Sequence, residues 1–417
     1  MRPHAKPTLL IISQVFVPDP AAVGQQIADA AHEMVRRGWQ VVVYTASRGY
    51  EDPSNRYPRR QVIDGVEVRR LPLSSFGKSS IFVRLIAGAL FLTQAVCHGL
   101  FMPHLSLVLV STSPPFAGIG GVVLSWLRHV PLVWWVMDLN PDQMVAAGRL
   151  TRSSVARCVF EWMNRLTIAH AREVIALDRF MKERLLQKWP CEAKVQIVPP
   201  WPHDDVLSTL PRTPNPFRDA HSLGDAFVVM YSGNHAIQHP LQTLLAAASR
   251  LESTPNLLFV FVGGGAGKSQ VEKRIQDGAT NIISLPFQQR MEIGDSLSAA
   301  DVHVVSMGDE VVGIVHPCKI YGAMAVGRPI LFFGAAKSHV GEIMAAHTIG
   351  YRINHGDVDG AVAAIQHLRT LSEIARNDLG CEAASIVKSR FSQRGSVAKV
   401  AEILCGSNSP QSLPQLP

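Results

Sequence analysis

One stretch of this chain gathers several residues able to do chemistry around the start of a helix pattern. It reads His316-Pro317-Cys318-Lys319-Ile320-Tyr321-Gly322-Ala323-Met324-Ala325-Val326-Gly327-Arg328-Pro329, preceded by a strand pattern and a short loop with Asp309 and Glu310. Gly322, Ala323 and Ala325 are small enough for a helix to lie close on a sheet. Lys319 falls in the first turn, where a cation opposes the helix dipole. An anionic ligand explains a cation there better than structure does. Lys319 is therefore the leading candidate for binding and catalysis, with Tyr321 beside it in the binding set.

Three glycine-containing loops offer further anion chemistry. Gly263-Gly264-Gly265-Ala266-Gly267-Lys268-Ser269 follows a strand pattern and opens a helix. A phosphate-binding P-loop needs G-x-x-x-x-G-K-S/T, which would put glycine where Val262 stands, so the loop is one residue short for an ATPase. What survives is an anion site from the backbone of Gly264 and Gly265 with Lys268, or else a tight turn with a solvated lysine. Tyr231-Ser232-Gly233-Asn234-His235 ends another strand, and His239-Pro240 opens the next helix. Ser232, Gly233, Asn234 and His239 there suit a diphosphate, or serve as turn formers. Gly24, between the first strand and helix, is a lone glycine and not the dinucleotide fingerprint. It either admits a phosphate or acceptor to the backbone or simply starts a helix.

Asp138 closes the apolar run Trp134-Trp135-Val136-Met137-Asp138. A carboxylate at the carboxyl end of a strand is a catalytic candidate, with a turn or helix cap as the alternative. No zinc-protease, hydrolase-elbow or nucleophilic-cysteine pattern is present.

These residues need a frame that holds strand ends together. The first half alternates strand patterns (8–15, 40–45, 65–71, 105–111, 132–138, 173–177, 195–198) with helix patterns (24–37, from 81, to 129, 153–167, 178–189). A proline-dense stretch follows, Pro199-Pro200-Trp201-Pro202 with further prolines at 211, 214 and 216. The alternation then restarts, with strands predicted at 226–232, 256–262, 281–285, 301–306, 329–333 and 350–353. This predicts an α/β protein of two Rossmann-like, doubly wound domains facing across a cleft, with ligands beyond the carboxyl ends of the strands. The expected limits are 1–200 and 201–390, then a helix at 391–405. The Ser/Pro/Gln-rich tail 406–417 reads as disordered.

The bulk properties narrow the partners. The chain has 417 residues, 47% of them hydrophobic and 18% charged. Residues 1–205 hold 23 Lys/Arg against 16 Asp/Glu, and residues 206–417 hold 17 of each, so the net charge of +7 sits on the first half. A basic half points to an anionic partner or a solvated basic surface. No zinc-finger or RNA-recognition motif accompanies it, so nucleic acid is not expected. The apolar segment 81–102 is interrupted by Arg84, Gln94 and His98, and predicts a buried or monotopic helix in place of a spanning one. Lys78, Arg84, Arg69 and Arg70 nearby make it a candidate for peripheral contact with anionic lipid. Six scattered cysteines give neither a metal site nor a disulfide framework, and no secretory leader is visible. A cytoplasmic location is expected.

The motifs together resemble the retaining glycosyltransferases of family 4, which have the GT-B fold, and more narrowly the branch that builds bacterial exopolysaccharide and O-antigen. The resemblance runs along nearly the whole chain. It rests on Phe16-Val17-Pro18-Asp19-Pro20 through Gly24, Ser111-Thr112-Ser113-Pro114-Pro115, the Asp138 segment, Tyr231 to Asn234, Gly263-Gly264-Gly265, Ala299-Ala300-Asp301-Val302 and Cys318 through Pro329. It implies sugar transfer with retention from a UDP- or GDP-sugar to a lipid-linked or polysaccharide acceptor. No cofactor or bound metal is implied, and the place of work is the inner face of the cytoplasmic membrane. Diphosphate contacts would come from the loop after the first C-terminal strand and from the Lys319 region. The helix near 391–404 would cross back to the N-terminal domain.

The chain departs from the wider family at telling places. The Glu-x7-Glu pair of that family falls on Ile314 and Gly322, and the second acid usually holds the donor ribose. Met137 stands where a histidine often precedes the Asp138 position, and Asn234 and His239 replace a basic pair. A noncatalytic partner subunit and a UDP-sugar epimerase of the same fold are the alternative readings.

Overall fold

The computed structural model describes residues 6–19, 21–49, 54–72, 74, 81–190, 192–202, 212 and 214–406. Pro20, Lys78, Cys191, linker residues 203–211 and the tail after Gly406 lie outside the described residues. Two compact units make up the chain. The first takes in the described residues up to Val145, then Leu150 to Pro199 and the chain from Arg394 onward; the second runs from Ala146 to Arg149 and from Pro200 to Gln393.

The first unit is built on an eight-stranded sheet. Its strands are β1 (Thr8–Ile12), β2 (Gln40–Ala46), β3 (Arg60–Ile63), β4 (Val66–Leu71), β5 (Leu105–Ser111), β6 (Leu132–Trp135), β7 (Glu173–Ala176) and β8 (Val195–Ile197). They lie in the order β3-β4-β2-β1-β5-β6-β7-β8, all parallel except for β3. The central strands are continuous apolar runs because both faces of the sheet are covered. The antiparallel β3 was not anticipated. Ile63 pairs with Val66 across Asp64-Gly65, both at positive φ, so a two-residue Asp-Gly hairpin adds this edge strand.

The helices of this unit are α1 (Ala22–Arg36), α2 (Ile81–Leu100), α3 (Ala117–Arg128), α4 (Asp142–Ala146), α5 (Val155–His170) and α6 (Arg179–Lys188). Right-handed crossovers send α1 to one face of the sheet and α2, α3 and α5 to the other. On that second face α3 packs between α2 and α5. A Cβ on Gly120 would stand 2.2 Å from Leu92, and one on Gly118 would stand 2.4 Å from Thr167, so glycine sets both close approaches.

The second unit holds β9 (Phe227–Ser232), β10 (Leu257–Val262), β11 (Ile282–Leu285), β12 (Val302–Ser306), β13 (Ile330–Phe333) and β14 (Gly350–Ile353). Its helices are α7 (Pro216–Ala220), α8 (Gln242–Arg250), α9 (Lys268–Gln276), α10 (Ile293–Ser298), α11 (Lys319–Ala325), α12 (His339–Ala346), α13 (Val358–Thr370) and α14 (Glu373–Arg390). The sheet is wholly parallel in the order β11-β10-β9-β12-β13-β14, the doubly wound order whose direction reverses between β9 and β12. Phe259, Phe261, Phe333, Leu244 and Ile365 fill one side of its core.

The last helix, α15 (Gln393–Cys405), belongs to the first unit. Arg172 donates to the Ile403 and Leu404 carbonyls at 2.9 Å each, and Lys399 donates to the Ile197 carbonyl at 2.9 Å. Helix α15 starts two residues later than the sequence pattern places it. Phe391 instead closes α14, with its ring 5.0 Å from that of Tyr321.

Candidate functional site

Ligands of doubly wound sheets bind where the strand order reverses, beyond the carboxyl ends of the strands. In the second unit that point lies between β9 and β12. Three segments meet there: the loop after β9, the glycine loop after β10, and the start of α11.

The first two are stitched backbone to backbone. His235 N–H donates to the Gly264 carbonyl at 2.7 Å, and Gly267 N–H donates to the His235 carbonyl at 2.7 Å. Gly263 and Gly265 make the approach possible. Both have φ near +128°, and a Cβ on them would fall 2.2 Å from the Gly233 carbonyl oxygen and 2.3 Å from the Asn234 side chain. The N–H groups of Asn234, Gly264 and Gly265 make no backbone hydrogen bond among the described residues, so amide donors remain at this strand edge.

Lys319, the first residue of α11, reaches into the same place. Its ammonium donates to the Tyr231 hydroxyl and, at 3.3 Å, to the Asn234 carbonyl. It also lies 3.8 Å from the centre of the Tyr231 ring. The Tyr231 hydroxyl donates onward to the Asn234 carbonyl at 2.9 Å. No carboxylate meets Lys319 in these contacts. Burial pushes the lysine down to about 7, and burial raises the Tyr231 phenol.

Two histidines flank the lysine. His235 is fully buried, its ring centre 4.9 Å from that of Tyr231 in an edge-to-face arrangement. Burial, then the Lys319 charge, lowers it to about 4. The same two causes hold His239 well below the ordinary histidine range. The site therefore holds two neutral imidazoles and a lysine poised near neutrality. An entering diphosphate would favour the charged lysine.

The other sequence candidates take distinct places. Ser232 ends β9, and Gly233, at φ 127°, lies against the Lys319 side chain. Lys268 turns back on its own loop, donating to the Gly263 carbonyl at 2.8 Å and the Leu285 carbonyl at 3.0 Å. Tyr321 is fully buried, with its hydroxyl 2.8 Å from His316 Nε2 and 3.0 Å from His339 Nε2. It anchors α11 to α12 beneath Lys319. Tyr231 and His235 complete the lysine's surroundings, and sequence reasoning did not single them out. An aromatic near the end of an apolar strand reads as core, and only the polar residues that follow hint at more.

In the first unit, Asp138 lies in the turn after β6. That strand ends at Trp135, three residues earlier than expected, because the Met137 and Asp138 N–H groups both donate to Thr112 Oγ1, at 3.2 and 3.1 Å. Burial raises the carboxyl to about 6, opposed by a hydrogen bond from Gln143. Gly24 is buried in the first turn of α1, and a Cβ there would sit 3.1 Å from the Phe16 backbone. Its small size serves that packing.

Known proteins match this architecture. Residues 21–201 match the model of the glycosyl transferase 4-like domain, and residues 226–370 match that of glycosyl transferases group 1. "Probable glycosyltransferase WbjE" of Pseudomonas aeruginosa is 23% identical over 70% of this chain and 73% of its own. "Putative colanic acid biosynthesis glycosyl transferase WcaI" of Escherichia coli K12 is 23% identical over 86% of this chain and 91% of its own. The crystal structure of Anabaena Alr3699/HepE in complex with UDP-glucose superposes with a TM-score of 0.70 at 16% identity, covering 95% of this chain and 99% of that one.

The chain belongs to the GT-B glycosyltransferases. Several motif residues of this glycosyltransferase prove to hold the fold together. Asp301 accepts from Val228 N–H at 2.8 Å and pairs with Arg212 at 2.8 Å, which locks the start of β12 to the start of β9 at the end of the sheet opposite Lys319. Gly327 ends α11 at φ 66°, and Arg328 donates to the Ser298 carbonyl at 3.0 Å. Gly322 has only Leu297 within contact of a would-be Cβ, at 3.5 Å.

Proposed function

We propose that this glycosyltransferase moves a sugar, with retention, from a UDP- or GDP-sugar to a lipid-linked or polysaccharide acceptor in cell-surface glycan synthesis. The observation that carries the reading is Lys319, half-buried at the β9/β12 reversal against Tyr231 and Asn234, with no carboxylate among its hydrogen-bond partners. A diphosphate placed there meets this cation and the amides of Asn234, Gly264 and Gly265. The relatives support the setting: WcaI is described as a colanic acid enzyme, and HepE holds UDP-glucose.

In this reading a bond forms between the acceptor oxygen and the anomeric carbon on the face the diphosphate leaves. The bond from that carbon to the phosphate oxygen breaks. The departing phosphate takes the electron pair and the acceptor's proton. Lys319 and the amides stabilise the charge that develops, a preorganised electrostatic role that requires no metal or cofactor. Asp138 is assigned to the acceptor, as a carboxyl that burial raises to about 6. Gly322 leaves the donor ribose without the acid used elsewhere in the family, so recognition of the nucleotide rests on other groups.

In this reading the protein works as a peripheral enzyme at the inner membrane face. No helix among the described residues is long and apolar enough to cross a bilayer. Incubation with labelled UDP- and GDP-sugars and a membrane extract tests the proposal. Label should enter the lipid or polymer fraction with matching release of nucleoside diphosphate and with the donor's anomeric configuration kept. Nucleotide binding without transfer would contradict turnover, an inverted product would contradict retention, and conversion of the donor without acceptor would point to an epimerase.

A further inference from the structure

Asp138 is held at both its backbone and its carboxyl. The backbone is pinned by Thr112, in the loop after β5. One hydroxyl oxygen accepts both the Met137 N–H, at 3.2 Å, and the Asp138 N–H, at 3.1 Å. The order of the first sheet reverses between β1 and β5. There the Ser111 hydroxyl, at the end of β5, donates to that of Ser13, just after β1, at 3.0 Å. In open α/β sheets, ligands bind beyond the strand ends at such a reversal. Thr112 thus ties a carboxyl from the turn after β6 to the loop that borders this point.

The carboxyl takes a hydrogen bond from Gln143. Two further amides fix that side chain. Asn140 Nδ2 donates to Gln143 Oε1 at 3.2 Å, which leaves Gln143 Nε2 as the donor to Asp138. The Asn140 carbonyl accepts from Asn164 Nδ2 of α5 at 2.5 Å. Asn140 and Asn164 are both buried, and buried amides are costly unless paired. The turn closes without them, since the Gln143 N–H donates to the Leu139 carbonyl and the Val145 N–H to the Pro141 carbonyl, at 3.0 Å each. The charged groups of α4, α5 and α6 engage one another. Asp142 pairs with Arg184 at 3.0 Å and with Lys188, and Lys188 pairs with Glu161 at 2.6 Å. Burial and the Gln143 bond act on Asp138, with no charged group among the causes. The chain from Asn164 through Asn140 and Gln143 therefore ends on one group, the Asp138 carboxyl.

We infer that Thr112 and Gln143 are positioning residues that hold Asp138 in place, Thr112 through the backbone and Gln143 through the carboxyl itself. The inference rests on the assignment of Asp138 to the acceptor for its purpose, but its first readout is the carboxyl and not transfer. An N–H donor favours the ionised form, so Gln143 opposes the effect of burial. The full chain is labelled with carbon-13 at its aspartate carboxyls and titrated by NMR, with the Asp138 signal assigned by its loss in Asp138→Asn. Gln143→Met keeps the length of a half-buried side chain and removes the donor. It should raise the Asp138 titration by about one pH unit, the size of one hydrogen bond to a charged group. The pH profile of transfer should shift with it. Thr112→Val should lower kcat by about tenfold or more with little change in donor KM, and Thr112→Ser, which keeps the hydroxyl, should restore it. Thermal melting checks the fold of each variant. An Asp138 titration unchanged in Gln143→Met would overturn the inference whether or not Thr112→Val folds. So would a Thr112→Ser chain as slow as Thr112→Val. A shifted titration with Asp138→Asn transferring at the parent rate would support the positioning and contradict only the acceptor assignment.

Discussion

The Lys319 ammonium donates to the Tyr231 hydroxyl while lying over the face of the same ring. A half-buried lysine held by a phenol, an aromatic face and a carbonyl has partners but no counter-ion in those contacts. Burial makes its charge costly, and the proposed diphosphate would offset that cost.

Lys319 should therefore oppose stability while supporting function. Its folded value near 7 lies below the ordinary 10.5, so between these values the unfolded chain binds the extra proton and stability rises with pH. Below pH 7 the penalty is present in full. Lys319→Met is expected to melt above the parent at pH 6, with the gap narrowing by pH 9, while transfer falls by roughly 10²–10³-fold, as for loss of a transition-state donor. Melting curves and initial rates on the same preparations check both halves.

Donor affinity should follow the same group. A nucleotide sugar keeps constant phosphate charge between pH 6 and 9, and His235 and His239 stay neutral there because their values lie well below this window. Affinity should be level below pH 7 and weaken above it, approaching about tenfold per pH unit as the free lysine loses its proton. Calorimetric titrations across that range read the slope, and Lys319→Met should flatten it.

The glycine loops make a structural prediction that separates neighbours. Gly263→Ala puts a Cβ 2.2 Å from the Gly233 carbonyl oxygen at φ 128°, so it should cost about 3 kcal/mol. Gly264→Ala meets only the half-exposed Phe287 ring, at 3.0 Å, and should stay within about 1 kcal/mol. Denaturant unfolding of the two variants tests the contrast.

Much of this frame could be read from the sequence, because apolar runs of strand length alternate with helical spacing in both halves. Lys319 was legible for a simple reason: a cation in the first turn of a helix is locally unfavourable. Other features depend on tertiary contacts that no local pattern encodes. Lys268 looked equally suited to an anion, yet nearby carbonyls of its own loop and of Leu285 hold it. Tyr231 and His235 belong to the site only because α11 brings Lys319 onto them. Asp301 looked like part of a family signature, and its work is to join two strand starts. The hairpin at Asp64-Gly65 was readable from its turn residues but was masked by the weak alternation of β3.

Asp138 carries a prediction of opposite pH sense. Its carboxyl rises from 3.8 to about 6 on folding, so the folded state holds the proton more tightly and stability falls as pH climbs between these values. Asp138→Asn should melt above the parent at pH 8, lose that advantage below about pH 4, and lower transfer if the carboxylate serves the acceptor. Melting at the two pH values and a rate measurement check this.

The central claim is that Lys319 and the strand-end amides hold the diphosphate of a nucleotide sugar. Calorimetric titration of UDP, GDP and the two parent nucleosides into the protein and into Lys319→Ala tests it most directly. One diphosphate should bind the parent far better than its nucleoside does, and Lys319→Ala should lose most of that difference. Equal binding of diphosphate and nucleoside, or a variant that keeps the parent's affinity, would contradict the account.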